Sequence, residues 1–125
     1  MTNTAENAYK LAHHYVREAK GAAKTKTCRF CGGSAQQWAY DGLDENAVTI
    51  AHRTFSENTG HYFPACLSCH KRYDIAVRRG GRDALPAVVA LLCAEGEQRY
   101  TAEQRALFAA QAERQTLLAE RHRGH

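Results

Sequence analysis

The chain has 125 residues, of which 44% are hydrophobic and 24% charged, and its formal net charge is +4. This length suffices for one modest domain, and no run of about 18 apolar residues is available to cross a membrane. Met1 is followed by polar residues and not by a basic segment leading into an apolar run, so we expect a cytoplasmic protein whose thiols are reduced.

The first predicted element is an N-terminal helix with a basic exposed side. Asn3 and Glu6 have the spacing of a capping box, small residues recur at helical intervals, and Gly21 is placed to end the helix. Positive side chains lie away from the small residues, where they could contact nucleic acid. These are Lys10, Arg17 and Lys20.

Two Cys-x-x-Cys pairs follow, Cys28 with Cys31 and Cys66 with Cys69. Each pair can chelate one ion through a tight turn, and two pairs complete a tetrahedron that leaves no open position for water or substrate. The pattern predicts one structural Zn²⁺ per chain. Two disulfides are the alternative, which a reducing compartment disfavours. Cys93 lies in an apolar run and is predicted to be a buried core thiol.

The segment between the pairs is predicted to form a hairpin and a loop. Residues 38–40 and 47–50 are the likeliest strands and would pair with each other, while residues 52–61 are rich in turn-forming side chains and indicate an exposed loop. Tyr62 and Phe63 would point to opposite faces of an extended segment, so we expect at most one of them in the core.

Trp38 and Tyr40 are two residues apart on the first predicted strand, so they share one face. We expect them to cover the small core of the zinc module. The alternative, a pair that stacks on bases, requires both rings to be exposed to solvent.

Three further helices are predicted after the second cysteine pair. The first covers residues 67–79, Asp83 caps the second with Pro86 in its first turn, and Thr101 opens the third. The last helix carries a thin, mostly alanine stripe, which is typical of an arm that packs on a partner protein or on a second copy of the chain. The predicted divisions are an N-terminal helix and linker, 1–27, a zinc module, 28–82, and a helical extension, 83–125.

Positive charge is concentrated after the second cysteine pair. Residues 66–82 contain five basic side chains and one acidic side chain, Asp74, and five minus one gives +4. Such a cluster can neutralise phosphates and release counterions, which predicts nucleic-acid binding; a solvated helix face is the alternative. The five residues are Lys71, Arg72, Arg78, Arg79 and Arg82.

The surroundings of the two pairs form a longer pattern. It consists of Cys28-x-x-Cys31-Gly32, Trp38-x-Tyr40 and Tyr62-Phe63-Pro64-x-Cys66-x-x-Cys69-His70-x-x-Tyr73-Asp74. This pattern resembles the zinc-bound form of the HNH endonuclease family, which is common in small phage and bacterial proteins. The resemblance implies an α+β fold with a zinc-stabilised ββα-metal core, flanked here by N-terminal and C-terminal helices. It also implies bacterial or phage-infected host cytoplasm.

The positions that carry the family's chemistry match only in part. The resemblance implies a His as general base at the end of the first strand, an Asn in the loop, and a His at the start of the helix that helps bind Mg²⁺ or Mn²⁺. His70 fills the third position, but Tyr40 and His61 stand at the first two. A neutral tyrosine with a pKa near 10 is a poor base at pH 7.

The sequence therefore favours a non-catalytic zinc module that binds nucleic acid. One alternative is an HNH-like endonuclease in which His70 acts with His61 and Asp74. Another is a phage-type adaptor that binds a protein through its C-terminal helix. A rearranged cation site would draw on Asp41, His52, His61, His70 and Asp74.

Overall fold

Four helices and four short strands make up the computed structural model, which describes residues 4–123 and the side chains of residues 6–122. The fold is α+β, as the sequence predicts. None of the described helices has the length and apolar character that a membrane span requires. The elements are α1 (Thr4–Lys20), β1 (Gln37–Tyr40), β2 (Val48–Ile50), β3 (Arg53–Phe55), β4 (Tyr62–Ala65), α2 (Leu67–Gly80), α3 (Leu85–Arg99) and α4 (Ala102–Arg123).

Helix α1 ends at Gly21, as predicted. Gly21 takes a φ of 89°, and its amide donates to the Arg17 carbonyl oxygen at 2.8 Å, which closes the last turn. The buried face of the helix contains Ala12 and Val16, while Tyr15 is exposed. The predicted capping residue Asn3 lies outside the described residues.

The strand pairing differs from the predicted hairpin. Strand β1 pairs antiparallel with β4, and β2 pairs antiparallel with β3. The predicted loop 52–61 therefore supplies a strand of its own. Ala51 and His52 both have positive φ, 49° and 70°, as the primed hairpin turns require, so β2 closes locally onto β3. The other pairing brings together β1 and β4, the strands that follow the first cysteine pair and precede the second in the sequence.

The sheet of β1 and β4 separates two hydrophobic cores. Ala39 lies opposite Phe63 on one face, and Tyr40 lies opposite Tyr62 on the other. Tyr62 and Phe63 are both buried, so the expectation that at most one belongs to a core is wrong, because each face of β4 has a core of its own. The cysteine core contains Cys28, Phe30, Cys31, Ala39, Phe63, Ala65, Cys66, Cys69, Tyr73, Leu85 and Leu92; the α1 core contains Val16, Ala23, Ala35, Trp38 and Tyr62.

Trp38 and Tyr40 share a face, as predicted, but it is the face of the α1 core and not that of the cysteines. The Trp38 indole donates to the Gly21 carbonyl oxygen at 3.0 Å, which ties β1 to the end of α1. Trp38 is buried, and a buried indole cannot stack on a base.

The two C-terminal helices fold back over the cysteine pairs. Helix α3 buries Leu85 and Leu92 in the cysteine core, and Cys93 is half-buried against the same core. Helix α4 lies against the short turn at Ala23–Thr25, where the Thr116 hydroxyl donates to the Thr25 carbonyl oxygen at 3.3 Å. One side of α4 is therefore held by the chain itself and does not project as an arm.

Candidate metal centre and the adjoining groove

The four paired cysteines converge on one point, although the two pairs are far apart in the sequence. Their sulfur atoms all lie within 4.8 Å of one another, and the Sγ atoms of Cys31 and Cys66 are 3.8 Å apart. A tetrahedron with metal–sulfur bonds of about 2.3 Å has edges of about 3.8 Å. The arrangement could therefore hold a metal ion with four sulfur ligands, which confirms the predicted grouping of the ligands.

The first pair is shaped by a turn that contains two glycines. Gly32 has a φ of 72°, and its amide donates to the Cys28 carbonyl oxygen at 3.0 Å. This geometry turns the Gly33 amide toward Cys31, whose sulfur it contacts at 3.4 Å. An amide dipole that points at sulfur stabilises the thiolate.

The second pair lies at the start of α2. Cys66 is the N-cap residue, and its sulfur accepts from the Cys69 amide at 3.4 Å. The positive end of the helix dipole is therefore directed at these two sulfurs, as the sequence indicates.

Three of the four thiols have pKa values that depart from the ordinary value of a cysteine. Burial, followed by the charges of neighbouring thiols, raises the pKa of Cys31 to about 11, and burial also raises the pKa of Cys69. Burial opposes ionisation of Cys66 as well, but hydrogen bonds from the Cys69 amide and from neighbouring thiols outweigh it and lower the pKa of Cys66. The Cys66 thiolate is thus favoured without a cation, whereas Cys31 and Cys69 require a compensating positive charge to ionise near neutral pH.

The predicted catalytic side chains do not converge in the same way. His70 lies in the first turn of α2, with Nδ1 2.6 Å from Gln37 Oε1 and Nε2 3.1 Å from Asp74 Oδ2. His61 instead pairs with Asp41, with 3.1 Å from Nδ1 to each carboxylate oxygen. Over the described part of the chain, the cysteines are the only cluster of three or more His, Cys, Asp or Glu side chains arranged to hold a metal.

Tyr40 stands where the HNH pattern would have its general base. Its hydroxyl accepts from the Asp44 amide at 3.2 Å, and burial raises the pKa of the phenol further above its ordinary value. The phenol therefore stays protonated at pH 7 and is even less available as a general base in this fold than in an unfolded chain.

A groove runs past His70 between α1, β1, the β2–β3 hairpin and α2. Its largest part has a volume of about 750 Å³, and two adjoining parts have volumes of about 380 and 340 Å³. His70 lines all three parts, so they meet at this side chain. The basic side chains that line this groove are Arg17, Lys24, Arg53, Lys71, Arg78 and Arg82.

Only two acidic residues that the structure describes line the groove, Asp44 and Asp74. Asp44 is buried and accepts from the Ser56 hydroxyl at 2.5 Å and the Asn46 amide at 2.9 Å. The Ser56 hydrogen bond is the main reason why the pKa of Asp44 is lowered. All six basic side chains are exposed, so the accessible surface of the groove is predominantly positive.

The structure brings together half of the eight basic residues predicted to bind nucleic acid. Arg17, Lys71, Arg78 and Arg82 line the groove, and Arg79 is exposed outside it. The other three are engaged elsewhere. Lys10 pairs with Glu6 at 3.1 Å, Lys20 donates to the Tyr62 carbonyl oxygen at 2.9 Å, and Arg72 pairs with Glu95.

Sequence reasoning missed two members of the groove. Arg53 is carried by the unpredicted strand β3, and its guanidinium lies 4.9 Å from the centre of the Tyr9 ring. Lys24 lies in the short turn after α1. Arg53 belongs to no basic cluster in the sequence, and only its position beside a hairpin turn could have indicated it, whereas Lys24 lies in the short basic linker 22–27 before the first cysteine pair.

No family model, curated protein or solved structure matches the chain. The resemblance to the HNH endonuclease family stays a prediction.

Proposed function

We propose that the chain is a structural zinc protein that binds nucleic acid in the groove beside its metal centre. The observation that carries the proposal is the charge of the groove. Among the described residues, six exposed basic side chains line it, but only two acidic residues do. Two parts of the fold are involved, and each is tested separately.

Zinc is the metal that the donor set favours. Four buried sulfurs at tetrahedral spacing suit Zn²⁺, whereas Mg²⁺ and Ca²⁺ require oxygen ligands. Four protein ligands leave no position for water, so the ion would join the two pairs and stabilise the fold. Metal analysis of the purified protein should give one zinc per chain, and a chain that folds without metal would contradict this part.

The groove fits a phosphate backbone because its charges come from several elements. Arg17 lies on α1, Arg53 on the β2–β3 hairpin, and Lys71 and Arg78 on α2. Side chains on opposite walls can contact successive phosphates of one strand, and each phosphate that is neutralised releases counterions. A single basic helix face would contact only one side of the strand.

The test removes charge inside and outside the groove to the same extent. The groove variant carries Arg53→Gln, Lys71→Gln and Arg78→Gln. The control variant carries Arg79→Gln, Arg114→Gln and Arg121→Gln, three exposed residues that do not line the groove. Both variants lose three positive charges, so they differ only in where the charge was.

Binding to labelled duplex and single-stranded oligonucleotides is measured by fluorescence anisotropy over a range of salt. About 0.9 counterions are released for each phosphate of duplex DNA that the protein neutralises. The negative slope of log K against log salt should therefore be shallower by about 3 in the groove variant than in the wild type. This difference in slope corresponds to a loss of up to several hundredfold in binding affinity at about 0.1 M salt. Equal losses in the two variants, or none in either, would refute the groove as the binding site.

One observation favours a second candidate, a divalent-metal endonuclease. His70 and Asp74 are 3.1 Å apart and both line the groove. This candidate predicts nicking of plasmid DNA with Mg²⁺ or Mn²⁺ that Asp74→Asn reduces and His70→Ala abolishes. The raised pKa of Tyr40 argues against it, and an absence of cleavage over a panel of divalent metals would exclude it.

A further inference from the structure

Arg99, the last residue of α3, extends a positive charge to the sulfur cluster. Its Nη1 atom lies 3.8 Å from the Sγ atom of Cys66 and 3.9 Å from that of Cys69. These are the two cysteines of the second pair, and Arg99 is 33 and 30 residues from them in the sequence. Its guanidinium also lies 5.5 Å from the centre of the Tyr100 ring, which limits where the side chain can go.

A close backbone contact holds the end of α3, from which the exposed Arg99 side chain extends. At Gly96, one turn earlier in α3, an added Cβ would lie 2.1 Å from the Phe30 carbonyl oxygen and 2.9 Å from the Cys31 Cα atom. Helix α3 therefore rests directly on the loop of the first cysteine pair, with no room for a side chain between them. The end of α3 cannot move toward or away from the sulfurs without breaking this contact.

The junction between α3 and α4 holds the same loop from the other side. An added Cβ at Gly33 would lie 2.9 Å from the Tyr100 ring, and one at Gly32 would lie 2.8 Å from the Arg105 side chain. The Arg105 guanidinium donates to the carbonyl oxygens of Glu97 and Tyr100 at 2.9 and 2.8 Å, which locks the junction. Arg99 thus lies between two fixed contacts.

We propose that Arg99 is a positioning residue of the metal centre that retains the ion by offsetting the charge of its thiolates. Four thiolates and one dication sum to −2, and this charge is buried. A guanidinium that donates to two of the sulfurs reduces the local charge to −1 and lowers their reactivity toward protons and electrophiles. The inference rests on the zinc centre proposed above.

The test compares Arg99→Gln, Arg99→Lys and the full wild-type chain, all loaded with zinc. Arg114→Gln on α4 is the matched control, because it removes the same charge from an exposed residue. Zinc affinity is measured at one fixed pH by competition with a chromophoric chelator, and circular dichroism at saturating zinc verifies the fold. In a second measurement, excess N-ethylmaleimide releases zinc and the rate is recorded.

Partners in the outer shell of a metal site are typically worth 10- to 100-fold in affinity, so Arg99→Gln should weaken zinc binding by about that factor and speed zinc release. Arg99→Lys keeps the charge and should lose less, and Arg114→Gln should match the wild type. Arg99→Gln within twofold of the wild type, or equal losses with Gln and Lys, would overturn the proposal. A wild type that binds no stoichiometric zinc would instead refute the metal centre itself.

Discussion

Replacing Gly96 by alanine sets two physical effects against each other. Gly96 lies inside α3, where helix propensity alone predicts that alanine stabilises the protein by about 1 kcal/mol. The packing predicts the opposite, because the new Cβ would lie 2.1 Å from the carbonyl oxygen and 2.6 Å from the carbonyl carbon of Phe30. Both are backbone atoms, which cannot rotate away as a side chain can.

The required displacement follows from these distances. Ordinary contact begins at 3.4 Å, so the oxygen and the new Cβ must separate by 1.3 Å (3.4 minus 2.1). Overpacking of this kind typically costs about 1–3 kcal/mol, and an outward shift of α3 also loosens Leu92 in the cysteine core. After subtracting about 1 kcal/mol for propensity, we expect a net loss of up to about 2 kcal/mol in the free energy of unfolding, or up to about 8 °C in Tm.

Urea unfolding followed by circular dichroism in excess zinc measures this loss. Ala94→Gly calibrates the propensity term, because Ala94 is an exposed residue of the same helix, and this variant should lose about 1 kcal/mol. If Gly96→Ala gains about as much as Ala94→Gly loses, α3 does not rest on the Phe30 backbone and the reasoning is wrong.

Three further predictions concern other parts of the molecule. Removing zinc with a chelator should unfold the cysteine core, because a structural zinc ion contributes on the order of 10 kcal/mol in small domains; unchanged near-UV circular dichroism would contradict this. Burial lowers the pKa of His13 in the folded state below its value in the unfolded chain. The neutral His13 side chain therefore contributes its full stabilisation above about pH 6.5, and this stabilisation is lost as the pH falls toward the folded-state pKa. The unfolding midpoint of His13→Gln should therefore decline less than that of the wild type between pH 7 and 5, and parallel curves would refute the assignment. The double variant Ala51→Asn/His52→Gly should have a free energy of unfolding, measured by urea denaturation, about 1–2 kcal/mol higher than that of the wild type, because Asn and Gly tolerate the positive φ of these two positions. A lower free energy of unfolding would show that the turn is not strained.

The features that the sequence predicted correctly depend on neighbours along the chain. Helix α2 begins at the second cysteine pair, and Gly21 ends α1, because caps and glycines act within one turn. The grouping of the cysteines was also predictable, since two Cys-x-x-Cys pairs with reduced thiols have few uses other than a shared metal site.

The features that the sequence did not predict depend on contacts between distant segments. Residues 47–50 have a strand pattern, but pattern alone does not choose between β1 and β3 as the partner. The membership of Arg53 in the groove depends on how α1 packs beside the β2–β3 hairpin. The contact of Arg99 with the sulfurs similarly requires α3 to fold back over the first cysteine pair, which no local signal encodes.

The sheet of β1 and β4 has only two strands, and adjacent residues of β4 belong to different cores. Phe63 packs with the cysteines, while Tyr62 packs against α1, which forms one wall of the groove. The two cores therefore share this strand. If bound zinc increases the affinity for nucleic acid by some factor, thermodynamic reciprocity requires that bound nucleic acid increase the affinity for zinc by the same factor. For the function proposed here, such coupling would link the zinc content of a sample to its affinity for nucleic acid.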